Sequence, residues 1–302
     1  MRPWYGTGTF RLGPALDQVE VDTVFLEFDK PATAAEAVEL RRRYPTSLYL
    51  AGGAEVNSRG GHGRCAPGVE VDRAIQIAHL PLGGVRSTAS EVLLGAGTVI
   101  QDLIVNPEVP PLLARAATQF ANRNIRNVAT LGGNLAINRS CSNLIPSLLA
   151  LEAEITLLGP EGEKVLPLEQ YVAGHDPASL ILSVRVPRQR LEAPWATRKH
   201  SRTVNDLSIV SVAVVHEGSR DSLRRVAVAL GGVAPTAVRL HELEERLEGQ
   251  ALPDRDTLES WVRDMIHPID DVRGGAAYKR QVGAALVGWA LHHAAAGRGD
   301  KA

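Results

Sequence analysis

The sequence predicts an α+β protein: a mixed α/β part that presents two glycine turns to a ligand, followed by a C-terminal α+β part. Three observations carry this. Short apolar runs of strand length at 47–50, 92–94 and 155–158 each lead into a glycine-containing turn. Stretches with apolar residues at helical spacing lie between them. Beyond a polar, two-proline stretch at 187–194, two strand-like runs (209–215 and 226–230) precede three helical patterns (238–248, 255–265 and 275–296), the grouping expected of an α+β unit.

The elements follow in order. Residues 1–22 show no periodicity and read as an N-terminal extension. Thr33 and Glu36 form a capping box, with Ala37, Val38, Leu40 and Tyr44 as the apolar face of the helix and Pro45 as its stop. Residues 47–50 form a strand that ends in Ala51-Gly52-Gly53. Segments between 68 and 103, beginning with GVEVD, alternate strand-like runs with turns. A single helix is expected over 110–129, interrupted by 130–134, and a shorter helix over 143–151. The expected units are 1–22, a first ligand-binding subdomain at 23–80, a second at 81–187, and the C-terminal unit at 195–302.

Composition narrows the function. A chain of 302 residues with 44% hydrophobic content has room for more than one core. The net charge of -1 provides no bulk attraction for nucleic acid or an anionic membrane. The only cysteines, Cys65 and Cys141, cannot supply an iron-sulfur cluster or an all-cysteine zinc site, and read as either one disulfide or two unrelated thiols. The start MRPWYGTGTFRLGPALD has neither a secretory leader nor a membrane span, so cytoplasmic residence is expected. His62 lies in a glycine-rich loop and His292 and His293 are helix neighbours facing different ways, so no histidine metal site is expected. His200 reads as a surface or ligand-adjacent residue.

Two glycine pairs carry the functional signal. In LYLAGGAEVN, Gly52 and Gly53 directly after a strand expose main-chain amides that can cradle a phosphate. In ATLGGNLAINRSCSNLIP, Gly132 and Gly133 are expected to do the same, Asn134 offers a donor and an acceptor, and Ser142 or Asn143 stands at a helix start. Each pair alone is also what a plain turn looks like. Together they suit one dinucleotide diphosphate held between them, without the GxGxxG of a Rossmann site.

These motifs, with FDKPATAAEAVEL, LLGAGTVIQDL, IRNVATLGGN, ALGGVAPTAVR and HPIDDVRGGAAYKR in order, resemble the FAD-binding medium subunit of the molybdenum hydroxylases, the xanthine and carbon monoxide dehydrogenase family. The resemblance implies a two-part FAD-binding domain of the vanillyl-alcohol-oxidase (PCMH) type followed by an α+β domain. It assigns Tyr49, Leu50, Ala51, Gly52, Gly53, Ala54, Glu55 and Val56 to the diphosphate, and Thr130, Leu131, Gly132, Gly133 and Asn134 to a second phosphate and ribose loop. Phe120 would lie near the nucleotide, and Asn143 stands where the family has aspartate. The family lysine near the cofactor falls on Arg198 or Lys199, and a segment normally longer is reduced to 175–179.

The function implied is an FAD-dependent oxidoreductase subunit that needs no acid, base or nucleophile of its own. Electrons would come from two [2Fe-2S] clusters on a small subunit, fed by a molybdenum-pterin cofactor on a large subunit, in a dimer of heterotrimers. The alternatives are a self-sufficient FAD oxidoreductase and a cofactor-free structural homologue.

Overall fold

The computed structural model describes residues 27–56, 73–174 and 176–297. The expected extension at 1–22, the GVEVD strand, His62, Cys65 and His175 lie outside the described residues.

Three sheets organise the described residues. The first is parallel, with order β1-β3-β2, built from β1 (Glu27–Asp29), β2 (Leu48–Leu50) and β3 (Arg73–Gln76). Helix α1 (Ala34–Arg43) packs against it through Ala37 and Val38. Its capping box differs from expectation in one bond. Thr33 Oγ1 accepts from the Glu36 amide at 3.1 Å, but the Glu36 carboxylate answers the Ala32 amide rather than that of Thr33.

The second sheet is antiparallel, with order β4-β5-β8-β6-β7: β4 (Val85–Ser87), β5 (Glu91–Gly95), β6 (Glu154–Gly159), β7 (Gly162–Pro167) and β8 (Leu180–Pro187). Between β5 and β6 run α2 (Ile100–Val105), α3 (Pro111–Thr118), α4 (Arg123–Arg126), α5 (Leu131–Ile137) and α6 (Leu144–Ala150). Helix α7 (Leu168–Ala173) follows β7.

The expected helix over 110–129 is two helices. The chain breaks at Ala121, whose φ is +38°, and Asn122 starts α4 by accepting from the Ile125 amide at 3.0 Å. Arg126 fixes the break by donating to the Phe120 and Ala121 carbonyls at 3.0 and 3.1 Å. Nor is 130–134 an interrupting loop: these residues are the N-cap and first turn of α5.

The third sheet has order β12-β11-β10-β9: β9 (Trp195–His200), β10 (Val210–Ser219), β11 (Ser222–Gly231) and β12 (Val238–Arg239). Residues 238–239, expected to begin a helix, are its edge strand. Helices α8 (His241–Leu247), α9 (Arg255–Met265) and α10 (Ala276–Ala295) follow.

The alternation of a strand explains how this sheet joins the rest. Val212, Val214, Val228 and Leu230 face a core made with α9 and α10, whereas Ala213, Val215, Ala227 and Ala229 belong to the core of the second sheet. Both faces are buried, so β10 and β11 read as unbroken apolar runs. Helix α6, buried at every position, lies in the shared layer.

Residues 187–194 are therefore not a free linker. Arg190, in a 3-10 turn, is buried at 1% exposure among groups from both sides.

A second buried cation anchors the HPIDDVRGG segment. Asp271 Oδ2 accepts from Lys279 Nζ at 2.8 Å and Arg273 Nη2 at 2.7 Å. Burial pushes its carboxyl up, but the hydrogen bonds from Arg273 and Lys279 outweigh it and hold the group well below the usual carboxylate range. A depressed carboxylate stabilises the fold fully above its unfolded pKa of about 4, and that contribution is lost as pH falls below it. The urea midpoint should therefore drop below pH ~4, and Lys279→Met should flatten that part of the curve. Parallel curves would show that the pair contributes nothing.

Candidate functional site

The first glycine bend sits on the second. Gly53 has φ +65°, the left-handed region that glycine enters without strain. A Cβ on Gly52 would lie 1.6 Å from the Val128 carbonyl oxygen, so only glycine lets 51–54 seat on the main chain that leads into α5. Beyond α5, Arg139 pairs with Glu55. The bend thus touches both ends of the segment that carries the second glycine pair.

Its donors are open. Among the described residues, the amides of Gly52, Gly53 and Ala54 donate to no acceptor. Successive unpaired amides in a bend with positive φ form a nest for an anion. Around them, Leu50 accepts from the Ile77 amide at 2.9 Å, Ala54 packs on the core, and Ala51 and Val56 are half-buried. The Tyr49 hydroxyl donates to the Ala178 carbonyl at 2.8 Å, and burial pushes its pKa well up. The shortened 176–179 segment is thereby tied to β2.

The second pair has a different physical role from the one the sequence suggests. The Leu131 amide donates to Thr98 O at 2.9 Å, Gly132 to Ala96 O at 2.7 Å, and Asn134 to Thr130 O at 3.0 Å. Gly133 donates to Thr130 Oγ1 at 3.1 Å. All four amides are engaged within the chain, because 130–134 open a helix stitched to the residues after β5. Gly132 is required for that packing, since a Cβ there would stand 2.7 Å from Ala96 Cβ. A Cβ on Gly133 would meet only Thr130 Oγ1, at 3.0 Å, so its outer side is open.

The remaining candidates divide. Asn134 Oδ1 accepts from Ser142 Oγ at 2.7 Å. Ser142 Oγ, not Asn143, caps α6, accepting from Leu144 N and Ile145 N at 3.3 Å. Asn143 is buried, with Nδ2 donating to Gln119 O at 3.0 Å and Oδ1 2.8 Å from Ser208 Oγ. Phe120, next to Gln119, packs half-buried against the core.

Alternation along β9 separates Arg198 from Lys199. Lys199 turns toward α3 and donates to the carbonyls of Gln119 (2.8 Å), Val204 (2.7 Å) and Asp206 (2.8 Å), with burial drawing its pKa down. Arg198 turns toward α10, 4.8 Å above the Trp289 ring, in a cleft of about 270 Å³ that includes Arg115, Gln119 and Thr197. Both residues border Gln119, but of the two it is Lys199 that donates to the Gln119 carbonyl, which also takes Asn143 Nδ2.

Sequence reasoning missed Gln119, Ser208 and Arg139. Nothing in their local sequence marks them, because each acts through a partner distant along the chain.

Among the described residues no histidine, cysteine and carboxylate cluster could hold a metal, and no helix is long and apolar enough to cross a membrane. Successive free amides in a glycine bend suit an anionic group such as a phosphate.

Comparison with known proteins shows the family. Residues 25–189 match the FAD binding domain in molybdopterin dehydrogenase, and residues 195–294 the CO dehydrogenase flavoprotein C-terminal domain. The protein YgfM of Escherichia coli (strain K12) is 34% identical over 268 residues, covering 86% of this chain and 93% of its own. The carbon monoxide dehydrogenase medium chain of Hydrogenophaga pseudoflava is 32% identical over 235 residues, covering 74% and 82%. A solved carbon monoxide dehydrogenase from Hydrogenophaga pseudoflava superposes with a TM-score of 0.83 at 31% identity, over 91% of this chain and 98% of that one. Quinoline 2-oxidoreductase from Pseudomonas putida 86, at 19% identity and a TM-score of 0.79, shares the fold. With a family match over more than half its length, the chain belongs to the FAD-binding flavoproteins of the molybdopterin dehydrogenases.

Proposed function

We propose that this chain is the electron-transferring flavin subunit of a cytoplasmic molybdenum hydroxylase. It receives electrons from [2Fe-2S] clusters on a small subunit, which a large subunit with a molybdenum-pterin cofactor has reduced, and passes them to an external acceptor, in a dimer of heterotrimers. The observation that carries the reading is the bend at 52–54, whose unpaired amides sit against the segment leading into α5.

In this reading the amides of Gly52, Gly53 and Ala54 hold the diphosphate, and Thr130 to Asn134 form the wall against which it lies. Tyr49, Leu50, Ala51, Glu55 and Val56 shape the bend, while Phe120, Asn143 and Lys199 belong to the floor where the second and third sheets meet. Bound FAD would supply two-electron acceptance and one-electron release. The chain's own task is to bind and orient it. Two cysteines leave iron-sulfur chemistry to a partner.

Purification at native expression level tests this. FAD, iron and molybdenum should co-elute with this chain and two others, and substrate should reduce the flavin only in the assembly. Reduction of the isolated flavoprotein by substrate would identify a self-sufficient oxidoreductase instead. A colourless chain that takes up no added FAD would overturn both readings.

A further inference from the structure

Three segments meet at one carbonyl. The Gln119 oxygen, just beyond α3, accepts from Asn143 Nδ2 at 3.0 Å and from Lys199 Nζ at 2.8 Å, which uses both its lone pairs. The carbonyls of Val204 and Asp206 take the other two ammonium protons. Lys199 is therefore a saturated cation inside a cage of three main-chain oxygens, with the Asp206 side chain as the carboxylate that acts on it from the loop itself. Behind Asn143, Ser208 Oγ lies within hydrogen-bond distance of both Asn143 Oδ1 and Cys141 O, at 2.8 and 2.7 Å.

The cage pins 201–207, between β9 and β10, to the α3 end and the α6 start. That loop would otherwise have little to hold it. Val204 and Leu207 are 80% and 60% exposed, and the Arg202 to Asp206 ion pair, at 3.8 Å, is largely solvated.

We propose that Lys199 and Asn143 are a matched pair of positioning residues. Lys199 latches the 201–207 loop onto Gln119, and the uncharged amide at 143 is what leaves its ammonium in the carbonyl cage. A carboxylate at 143 could not donate to the Gln119 oxygen. It would also stand within about 4–6 Å of the ammonium, the range over which an opposite charge acts strongly, and would draw Lys199 out of the loop. The latch holds the loop against Gln119, Phe120 and the 141–143 turn. Its consequence for the cofactor rests on the FAD reading above, in which those residues form the floor of the site.

The test uses the full-length protein loaded with FAD, comparing wild type, Asn143→Asp, Lys199→Met, the double variant and Lys199→Arg. Two quantities are read: the rate of tryptic cleavage after Arg202, quantified by mass spectrometry, and the Kd for FAD. Asn143→Asp and Lys199→Met should each raise cleavage about tenfold, the change in a local opening equilibrium when a hydrogen bond to a charged group is lost. FAD affinity should fall with it. In loop cleavage the double variant should match Lys199→Met, because the latch is already gone, while its overall stability falls further, since the introduced carboxylate is then buried without a cation. Lys199→Arg should not rescue, since a planar guanidinium keeps the charge but cannot point at three carbonyls around one nitrogen. Additive cleavage rates in the double variant, or wild-type cleavage in Asn143→Asp, would overturn the pairing. If Asn143→Asp does not fold, the arginine variant decides, and protection retained there would mean that charge alone suffices. Wild-type protein that binds no FAD would defeat the cofactor reading, while the cleavage comparison would still judge the latch.

Discussion

Valine at position 52 should abolish FAD retention and destabilise the chain by more than about 4 kcal/mol, beyond the range of ordinary substitutions. The reason is backbone geometry. A Cβ at Gly52 would sit 1.6 Å from the Val128 carbonyl oxygen, and that oxygen belongs to main chain held by α4 and α5. The bend must lift off 128–129, which takes its open amides away from the second segment. Gly133→Val is the contrasting variant. Its side chain would meet only the Thr130 hydroxyl, at 3.0 Å, so the denaturation midpoint should fall far less than in Gly52→Val while flavin content falls. If Gly133→Val kept FAD at wild-type affinity, the cofactor would not pass over the start of α5. A Gly52→Val protein with an unchanged urea midpoint would mean that the first bend is not seated where the structure puts it.

Arg190→Ala should cost about 3–5 kcal/mol, the usual penalty for removing one member of a buried ionic cluster. Arg190 Nη1 donates to Arg225 O at 3.0 Å and Nη2 to Ala150 O at 3.2 Å. Its guanidinium also lies 3.4 Å from Glu152 and 3.5 Å from Glu217. Burial lowers its pKa, yet an arginine stays charged. Alanine would leave two carbonyls without donors and a cavity between the second and third sheets. Arg225, 2.7 Å from Glu152 and 3.4 Å from Glu217, would remain beside both carboxylates. Arg190→Met should therefore recover part of the loss by refilling the volume. Urea denaturation read separately by FAD release and by far-UV signal would show whether the two sheets then part independently. Equal midpoints for alanine and methionine would locate the cost in charge rather than packing.

Much of the fold was legible in the sequence because it is written in local patterns. Thr33 starts α1, a glycine turn follows β2 and β5, and the apolar runs at 209–215 and 226–230 mark β10 and β11. Where local pattern misled, a distant or buried contact had overridden it. The helix expected over 110–129 breaks because Arg126 reaches back to Phe120 and Ala121. The two prolines around 187–194 suggest a linker, but Arg190 between them finds partners at Ala150 and Arg225.

The same distinction holds at the site. Residue type and order alone determined that this chain has two glycine pairs, too few cysteines for a cluster, and the motif series of an FAD-binding flavoprotein. Only the tertiary structure decided which bend keeps its amides open, that Gly52 and Gly132 serve packing, and that Lys199 rather than Arg198 joins Asn143. A glycine permits close approach without saying to what, and the acceptor that an amide or ammonium finds is set by segments far away in sequence. Those choices are fixed when the sheets close on each other.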